Sequence, residues 1–499
     1  MNLSCCLPAL ILMSSLIPGL IIFFLPEDRH RLRTSLNMAG ATFKLVLVAI
    51  LVWRVYHEET FRTQLPLLPG MDLVLHADAL SVLFTTLSSV LWFLTTLYAI
   101  AYLEHSPQPR SRFFGFFSLC VSATIGISMA GNLITFLIFY EALTLSTYPL
   151  VIHRGSSESM RAGAVYLAYT LIGGAALMTG VAWLATLAGS VDFVEGGSLA
   201  GLPETAGTQL RFIFVLLIAG LGVKAALVPL HGWLPAAMVA PAPVSALLHA
   251  VAVVKAGAFG IVRVIYDVYG ITAARHLGLL EPLAWMAAAT VVYGSLRALR
   301  QDELKKRLAY STVSQVSYIA LGCAVGGPLG TLGGIVHLAH QGLMKITLFF
   351  CAGNIAETLG FHRVSEMRGV GRRMPLTMAA FTLGALGMIG VPPLAGFISK
   401  WYLASGCLTT GQGWVILVLA ASSALNAAYF LPVLYTAWFE EAEEPWPEEA
   451  SLGWREAHWM LLAPPLITAG LAVAAGLLAN APFSPLEWSR LIVFREYRQ

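Results

Sequence analysis

Charge is scarce in this sequence, and lysine is the scarcer of its two strongly basic residues. Only 11% of the 499 residues are Asp, Glu, Lys or Arg, against 57% hydrophobic, and the mean hydropathy is +0.74. A chain this long would ordinarily make a few soluble domains, but this composition describes one whose solvent is mostly lipid. The net charge of +3 implies no nucleic-acid partner, because in such a chain the sidedness of the charges matters more than their sum. Cysteine is sparse too. Cys5, Cys6, Cys120, Cys323, Cys351 and Cys407 form no CxxC and no metal-ligand spacing, so they read as small packing residues and no metal is expected. Iron–sulfur motifs, a dinucleotide-binding loop and a recognisable quinone site are missing as well, which leaves no cofactor to expect. A carboxylate cluster of the kind a dedicated Na+ site needs is also missing. The first apolar run lacks a basic n-region and an A-x-A site, so it reads as a span and not as a cleaved signal.

Long apolar runs are what the chain has instead. Runs of the length that crosses a roughly 30 Å hydrocarbon core lie at about 5–25, 37–54, 79–102, 113–130, 132–152, 161–188 and 209–229. Seven more follow at about 242–266, 280–296, 308–326, 329–355, 375–406, 412–438 and 457–480, so the expected fold is all-α and polytopic with about 14 transmembrane helices. Gly390, Pro392, Pro393 and Gly396 interrupt the run from 375, which predicts one broken helix. With the N-terminus outside, the inside connections collect Arg29, Arg31, Arg33, Arg110, Arg112, Arg154 and Arg161. Later inside connections add Arg297, Arg300, Lys305, Lys306, Arg307, Arg363, Arg368, Arg372, Arg373 and Arg455. The positive-inside rule then puts both termini outside the cytoplasm, in a bacterial-type inner membrane. An acidic loop, EEAEEPWPEEASLGWRE, reads as a solvated connection, with a docking surface as the sharper alternative.

The lysines are more informative than their number implies. Of seven, Lys44, Lys224, Lys255, Lys345 and Lys400 sit within apolar runs, and only Lys305 and Lys306 are placed in a loop. An ionisable group in a span costs at least about 2.5 to 3.5 kcal/mol on insertion scales and is a functional site by default. A buried amine can take up and release a proton instead of holding a fixed charge, and a row of them linked by water is a proton relay. Lys44 is set aside, since snorkelling or an interhelical bond accounts for it. Lys224 and Lys255 flank a stretch broken by Pro229, Pro235, Pro241 and Pro243, and Lys400 follows the break at Pro392 and Pro393. A lysine near a mid-membrane break in each half is the pattern of inverted repeats in transporters. Glu141 is the carboxylate well inside an apolar run, and pairing it with Lys224 would make a charge switch. His337, His340 and Lys345 fall within roughly 12 Å along one helix, and His249 lies in an apolar run beside the first break. Two histidines three apart with no third ligand are weak metal ligands. A structural reading, in which these groups only lock helices together, stands beside the relay.

Several phrases together carry a resemblance. HADALSVLF, FYEALTLSTYPLV, GVKAALVPLHGWLPAAMVAPAPVSALLHA, VVKAG, LKKRLAYSTVSQ and PPLAGFISKW resemble the antiporter-like subunits shared by Mrp-type Na+/H+ antiporters, respiratory complex I (NADH-quinone oxidoreductase) and membrane-bound hydrogenases. The resemblance covers roughly residues 70–405. It implies two inverted five-helix repeats with broken helices 7 and 12, giving segments 1–112, 113–266, 280–440 and 457–499. It also implies Glu141 and Lys224 as a coupling pair, Lys255 and Lys345 as a central connection, and Lys400 as a terminal proton group. Gln341 stands where several members have histidine. The compact end and Lys400 are most similar to the Mrp D-type subunit. The expected activity is proton movement within a larger membrane complex, with exchange for Na+ as one form of it. A pump module of a quinone reductase or hydrogenase, or a partner energising another enzyme such as an inorganic-carbon pump, are the alternatives.

Overall fold

The structure, a computed structural model, describes residues 3–68, 71–104, 106–199, 204–442 and 456–497. Arg455 and most of the acidic loop lie outside the described residues. The chain starts with α1 (Leu3–Phe23) and α2 (His30–Tyr56), turns through an antiparallel hairpin of β1 (Phe61–Leu68) and β2 (Met71–Ala77), and returns as α3 (Ala79–Tyr102). α4 (Arg110–Ser128), α5 (Leu133–Val151) and α6 (Ser157–Ala188) follow. The next crossing is split, with α7 (Gly207–Lys224) ending before Pro229 and short α8 (Trp233–Ala236) after it. α9 (Ala242–Ala250) and α10 (Val253–Arg263) continue into a π-helical stretch at Val264–Tyr269, then α11 (Ile271–His276), α12 (Leu280–Leu299), α13 (Leu304–Val325) and α14 (Pro328–Leu359). After α15 (Val370–Arg373) a second crossing is split into α16 (Pro375–Ile389) and α17 (Ala395–Thr409), followed by α18 (Trp414–Phe439), α19 (Trp459–Leu477) and α20 (Pro485–Glu496).

Among the described residues, twelve helices are long and apolar enough to cross a membrane. With α12 and the split pair α16–α17 added, the described residues accommodate the fourteen expected crossings. Lipid offers no partner to a free N–H or C=O, so spans must close their own hydrogen bonds, and the sequence supplies the punctuation. Asp78, Asn132 and Ser156 each accept a backbone N–H of the first turn of α3, α5 and α6. Gly390, with φ of 94°, ends α16 in the left-handed region that favours glycine.

Burial is uneven. The stretch Ala242–Tyr269 and the body of α14 are enclosed on all sides, whereas only about a third of α6 and of α18 is buried. The buried lysines of the central region therefore lie around α10 and α14, the two elements lipid cannot reach. Two departures from the sequence reading stand out. The all-α expectation omits the hairpin, whose residues alternate too weakly in hydropathy to announce a strand pair. Lys305 and Lys306 are not in a loop but in the first turn of α13, because Glu303 ends the connection; Lys305 donates to the Ala240 carbonyl at 2.5 Å. The segment after Pro485 is a helix, capped by Ser484 and fastened to α3 by Trp488 Nε1 on the Ala79 carbonyl at 2.7 Å.

Candidate functional site

The first break sets the geometry of Lys224. Pro229 and Pro235 cannot donate backbone hydrogen bonds, and α7 stops at Lys224, where the Ala225, Leu227 and Ala226 N–H groups close on the Leu221, Gly222 and Val223 carbonyls. Trp233 Nε1 takes one of them, the Val223 carbonyl, at 2.7 Å, and the Val228 N–H donates to Thr290 Oγ1 at 3.0 Å. Lys224 Nζ donates to the Tyr140 carbonyl and lies 3.4 Å from the centre of the Tyr140 ring. The ring face is a cation site that needs no counter-ion. A Cβ on Gly257 would collide with the Ala225 N–H, so this glycine lets α10 touch the break and brings Lys255 beside it. Lys255 is wholly buried, and its Nζ has no hydrogen-bond partner among the described residues.

The expected pair of Glu141 and Lys224 is close enough to interact electrostatically, but the two make no ion pair within 4.0 Å. Glu141 instead turns toward Gly174 of α6, where its Oε1 has no hydrogen-bond partner. The reason is that the ammonium is already held by Tyr140, one residue away. Glu141 is also not the only deep carboxylate, since Asp267, in the enclosed π-helical stretch, is 2% exposed. It forms an ion pair with Arg263 at 2.9 Å.

The second break is built differently. Lys400 Nζ donates to the Met388 and Ile389 carbonyls at 3.1 and 2.7 Å and to Ser423 Oγ at 2.8 Å. Those carbonyls are the ones freed where α16 ends, so the lysine caps the helix that the break interrupts. From there a thread of polar atoms runs inward. Asn426 Nδ2 also donates to the Met388 carbonyl at 3.0 Å, and the Tyr429 hydroxyl lies 2.5 Å from Asn426 Oδ1 and 2.8 Å from Ser311 Oγ. Lys345 Nζ donates to that same Ser311 Oγ at 2.8 Å. Lys345 and Lys400 are thus joined through α13 and α18. The amide and carbonyl members hold the ends in place, and the hydroxyls are the members able to pass a proton.

The histidines fill the enclosed space between. His337 Nδ1 is 2.8 Å from Ser399 Oγ, next to Lys400, and its ring lies 5.1 Å from that of Tyr318, over which Lys400 also sits at 5.7 Å. His337 is within electrostatic reach of Lys255, His340 and Lys400. His340 is wholly buried with both ring nitrogens unpaired among the described residues. His249 stacks on Phe349 at 4.6 Å and faces Lys345. Every one of the eight residues expected from sequence, Glu141 excepted, is under 10% exposed. Sequence reasoning misses Tyr140, Ser311, Ser423, Asn426 and Tyr429. Asn426 is the one carboxamide in the mostly apolar α18, and that oddity is the available signal.

The family model described as "NADH:quinone oxidoreductase/Mrp antiporter, TM" matches residues 130–426, well over half of the chain, and takes in all four lysines of the site. The chain belongs to this family. Among relatives, NADH-quinone oxidoreductase subunit N of Desulforudis audaxviator is 37% identical over 421 residues, covering 82% of each chain. The D-type subunit of the Na(+)/H(+) antiporter of Bacillus subtilis is 28% identical over 459 residues, covering 90% of this chain and 89% of its own. In solved structures, a chain of the Mrp complex from Dietzia sp. DQ12-45-1b superposes with a TM-score of 0.85 at 24% identity, over 100% of this chain and 98% of its own. Respiratory complex I from Thermus thermophilus gives 0.82 at 24% identity, over 98% of this chain and 99% of the matched one. These likenesses establish the fold of the antiporter-like family for this polytopic membrane protein.

Proposed function

We propose that this member of the antiporter-like family is the proton-translocating subunit of a multi-subunit membrane complex, of the Mrp cation/proton antiporter kind. One observation carries the reading. Four wholly or nearly wholly buried lysines, Lys224, Lys255, Lys345 and Lys400, none with a carboxylate in direct contact among the described residues, run along the enclosed core from one helix break to the other. Fixed charges so placed would be costly, whereas amines that gain and lose protons in turn are suited to the position. In this reading Glu141 sets the charge of Lys224, Lys255 and Lys345 carry the proton across with His249, His337 and His340, and Lys400 delivers it. Segments 113–266 and 280–440 act as the two inverted halves. The arginine-rich connections face the cytoplasm, which leaves both termini outside.

The pump module of a quinone oxidoreductase or hydrogenase is the second reading, favoured by the 37% identity to an NADH-quinone oxidoreductase subunit. Both readings share the path and differ in what drives it. Mass spectrometry of the complex copurified with the chain separates them: small Mrp-like membrane subunits support antiport, and flavin or iron–sulfur subunits overturn it. Lys224→Ala and Glu141→Ala each abolish proton transport with assembly intact, and wild-type transport in both would sink the relay itself.

A further inference from the structure

Lys44 plays no part in the path just described, and it stands apart from the other lysines. It lies at the middle of α2, wholly buried, so it neither snorkels nor reaches either surface. Its Nζ donates to Ser15 Oγ of α1 at 2.6 Å and sits 4.8 Å from the Trp92 ring of α3; among the described residues no carboxylate pairs with it. An interhelical bond would explain one contact. It does not explain what surrounds it.

Polar groups continue from Lys44 toward both faces. Toward the α1–α2 connection, Ser15 Oγ is 2.8 Å from Ser122 Oγ of α4, and one turn on, Ser118 Oγ donates to Asn37 Oδ1 of α2 at 3.3 Å. Arg33, a turn beyond Asn37, reaches Ser111 Oγ at 3.0 Å and Glu27 at 3.4 Å, at the membrane edge. Gly19 permits this line, because a Cβ there would stand 2.8 Å from Ser118 Cβ and push α1 off α4. Toward the hairpin, α3 turns one polar face inward: Trp92, Ser89 or Ser88, Thr85, Ser81 and Asp78 recur every three or four residues, all but Asp78 at most 1% exposed. Thr85 meets Ser128 at 2.7 Å, and Ser81 and Asp78 meet Arg263. Burial works against the Asp78 carboxylate there, but the Arg263 guanidinium holds it well below the usual carboxylate range. From Asp78 to Trp92 is about 21 Å of helix, and Lys44 to the far edge supplies the rest of the span.

The second observation is what these groups leave unmade. Trp92 Nε1, Ser88 Oγ, Ser89 Oγ and Asn37 Nδ2 are all buried and have no hydrogen-bond partner among the described residues. Buried polar atoms are paired with protein or with ordered water in the great majority of cases. Four orphans on the two sides of one lysine point to several small polar occupants in file, and water is the one that suits each of them. Cys120 on the opposite side of α4 faces Thr147 and Lys224, so this helix separates the line from the central row.

We infer that α1–α4 hold a second, water-bearing polar file across the membrane, in which Lys44 takes up and releases protons in step with the central row, neither row turning over without the other. The inference extends the proton-transport reading and rests on it. The neutral amine accepts a proton from water on one side and returns it to water on the other.

Purified complex in proteoliposomes with an internal pH dye and an imposed membrane potential tests it. Lys44→Arg keeps the bond to Ser15 and the charge but cannot deprotonate, so it is expected to lower proton flux by about tenfold or more, as loss of a proton-transfer group does. Lys44→Met is expected to do the same. Wild-type flux in Lys44→Arg makes the residue a structural anchor and overturns the second file. Where Lys44→Met does not assemble, Ser122→Ala removes one oxygen of the line, and unchanged flux in both Ser122→Ala and Lys44→Arg overturns it equally. Lys224→Met in the same vesicles keeps the two readings apart. If it too transports normally, the proton reading falls; if it alone is inactive, only the second file falls.

Discussion

The two broken helices hold their lysines by opposite means. At the first, the end carbonyls of α7 are taken by the backbone that follows and by a tryptophan, and Lys224 rests on the ring and carbonyl of Tyr140 with Glu141 nearby but not touching. At the second, Lys400 itself caps the freed carbonyls of α16 and is tied on through Asn426, Tyr429 and Ser311 to Lys345. In the proposed reading the first lysine answers to a carboxylate that is in electrostatic reach but not bonded to it. The second is controlled by backbone dipoles that cannot change without unwinding a helix. A lysine near a helix break in both cases therefore conceals two different settings: an aromatic ring with a carboxylate in reach at one break, and the freed end of a helix at the other.

The strongest way to break this comparison is to neutralise the carboxylate side. Glu141→Gln is expected to cut proton flux by about 100-fold with the complex still assembled, and flux within a factor of a few of wild type would show that Lys224 needs no carboxylate. The next test reads stability. Lys400→Met leaves the Ile389 carbonyl without a donor and the Met388 carbonyl with Asn426 alone, and is expected to cost about 1 to 3 kcal/mol in thermal or denaturant unfolding, whereas Lys224→Met, which removes a buried cation from a ring, costs less. Equal losses would erase the distinction. Tyr429→Phe deletes the hydroxyl between Lys345 and Lys400 and is expected to slow transport by about three- to tenfold, the equivalent of one hydrogen bond of about 0.5–1.5 kcal/mol. The smallest effect belongs to Ser423→Ala, about twofold at most, because Lys400 keeps both carbonyls.

Much of this can be read from residues alone. Scarce charge and long apolar runs specify a lipid-embedded helical chain, and lysines stranded inside those runs suggest a path, because a buried ionisable group is costly there. Pro392 and Pro393 mark the second break correctly. The contacts are another matter. Whether Glu141 meets Lys224 depends on a side-chain choice between two helices, and Tyr140 takes the place that sequence assigns to the carboxylate. Ser311 and Tyr429 are ordinary residues made special only by α13 and α18 crossing at their level, which no local pattern records. Lys44 is the instructive case: its own helix offers it few polar neighbours, and the ones it has lie on α1, α3 and α4.

The glycines at the breaks bear on how the protein can move. Gly257 presses α10 onto the backbone of the first break, Gly396 packs against the Gly387 carbonyl across the second, and Gly476 of α19 lies on the Pro393 carbonyl. Both discontinuities are thus clamped main chain to main chain, with no side chain between to act as a bearing. A break so braced cannot serve as a hinge, and rocking one half against the other would have to pull apart some of the tightest contacts in the molecule. On the proposed proton-transport reading, access to alternate sides is then switched by the swing of side chains and the wetting and drying of the space around them.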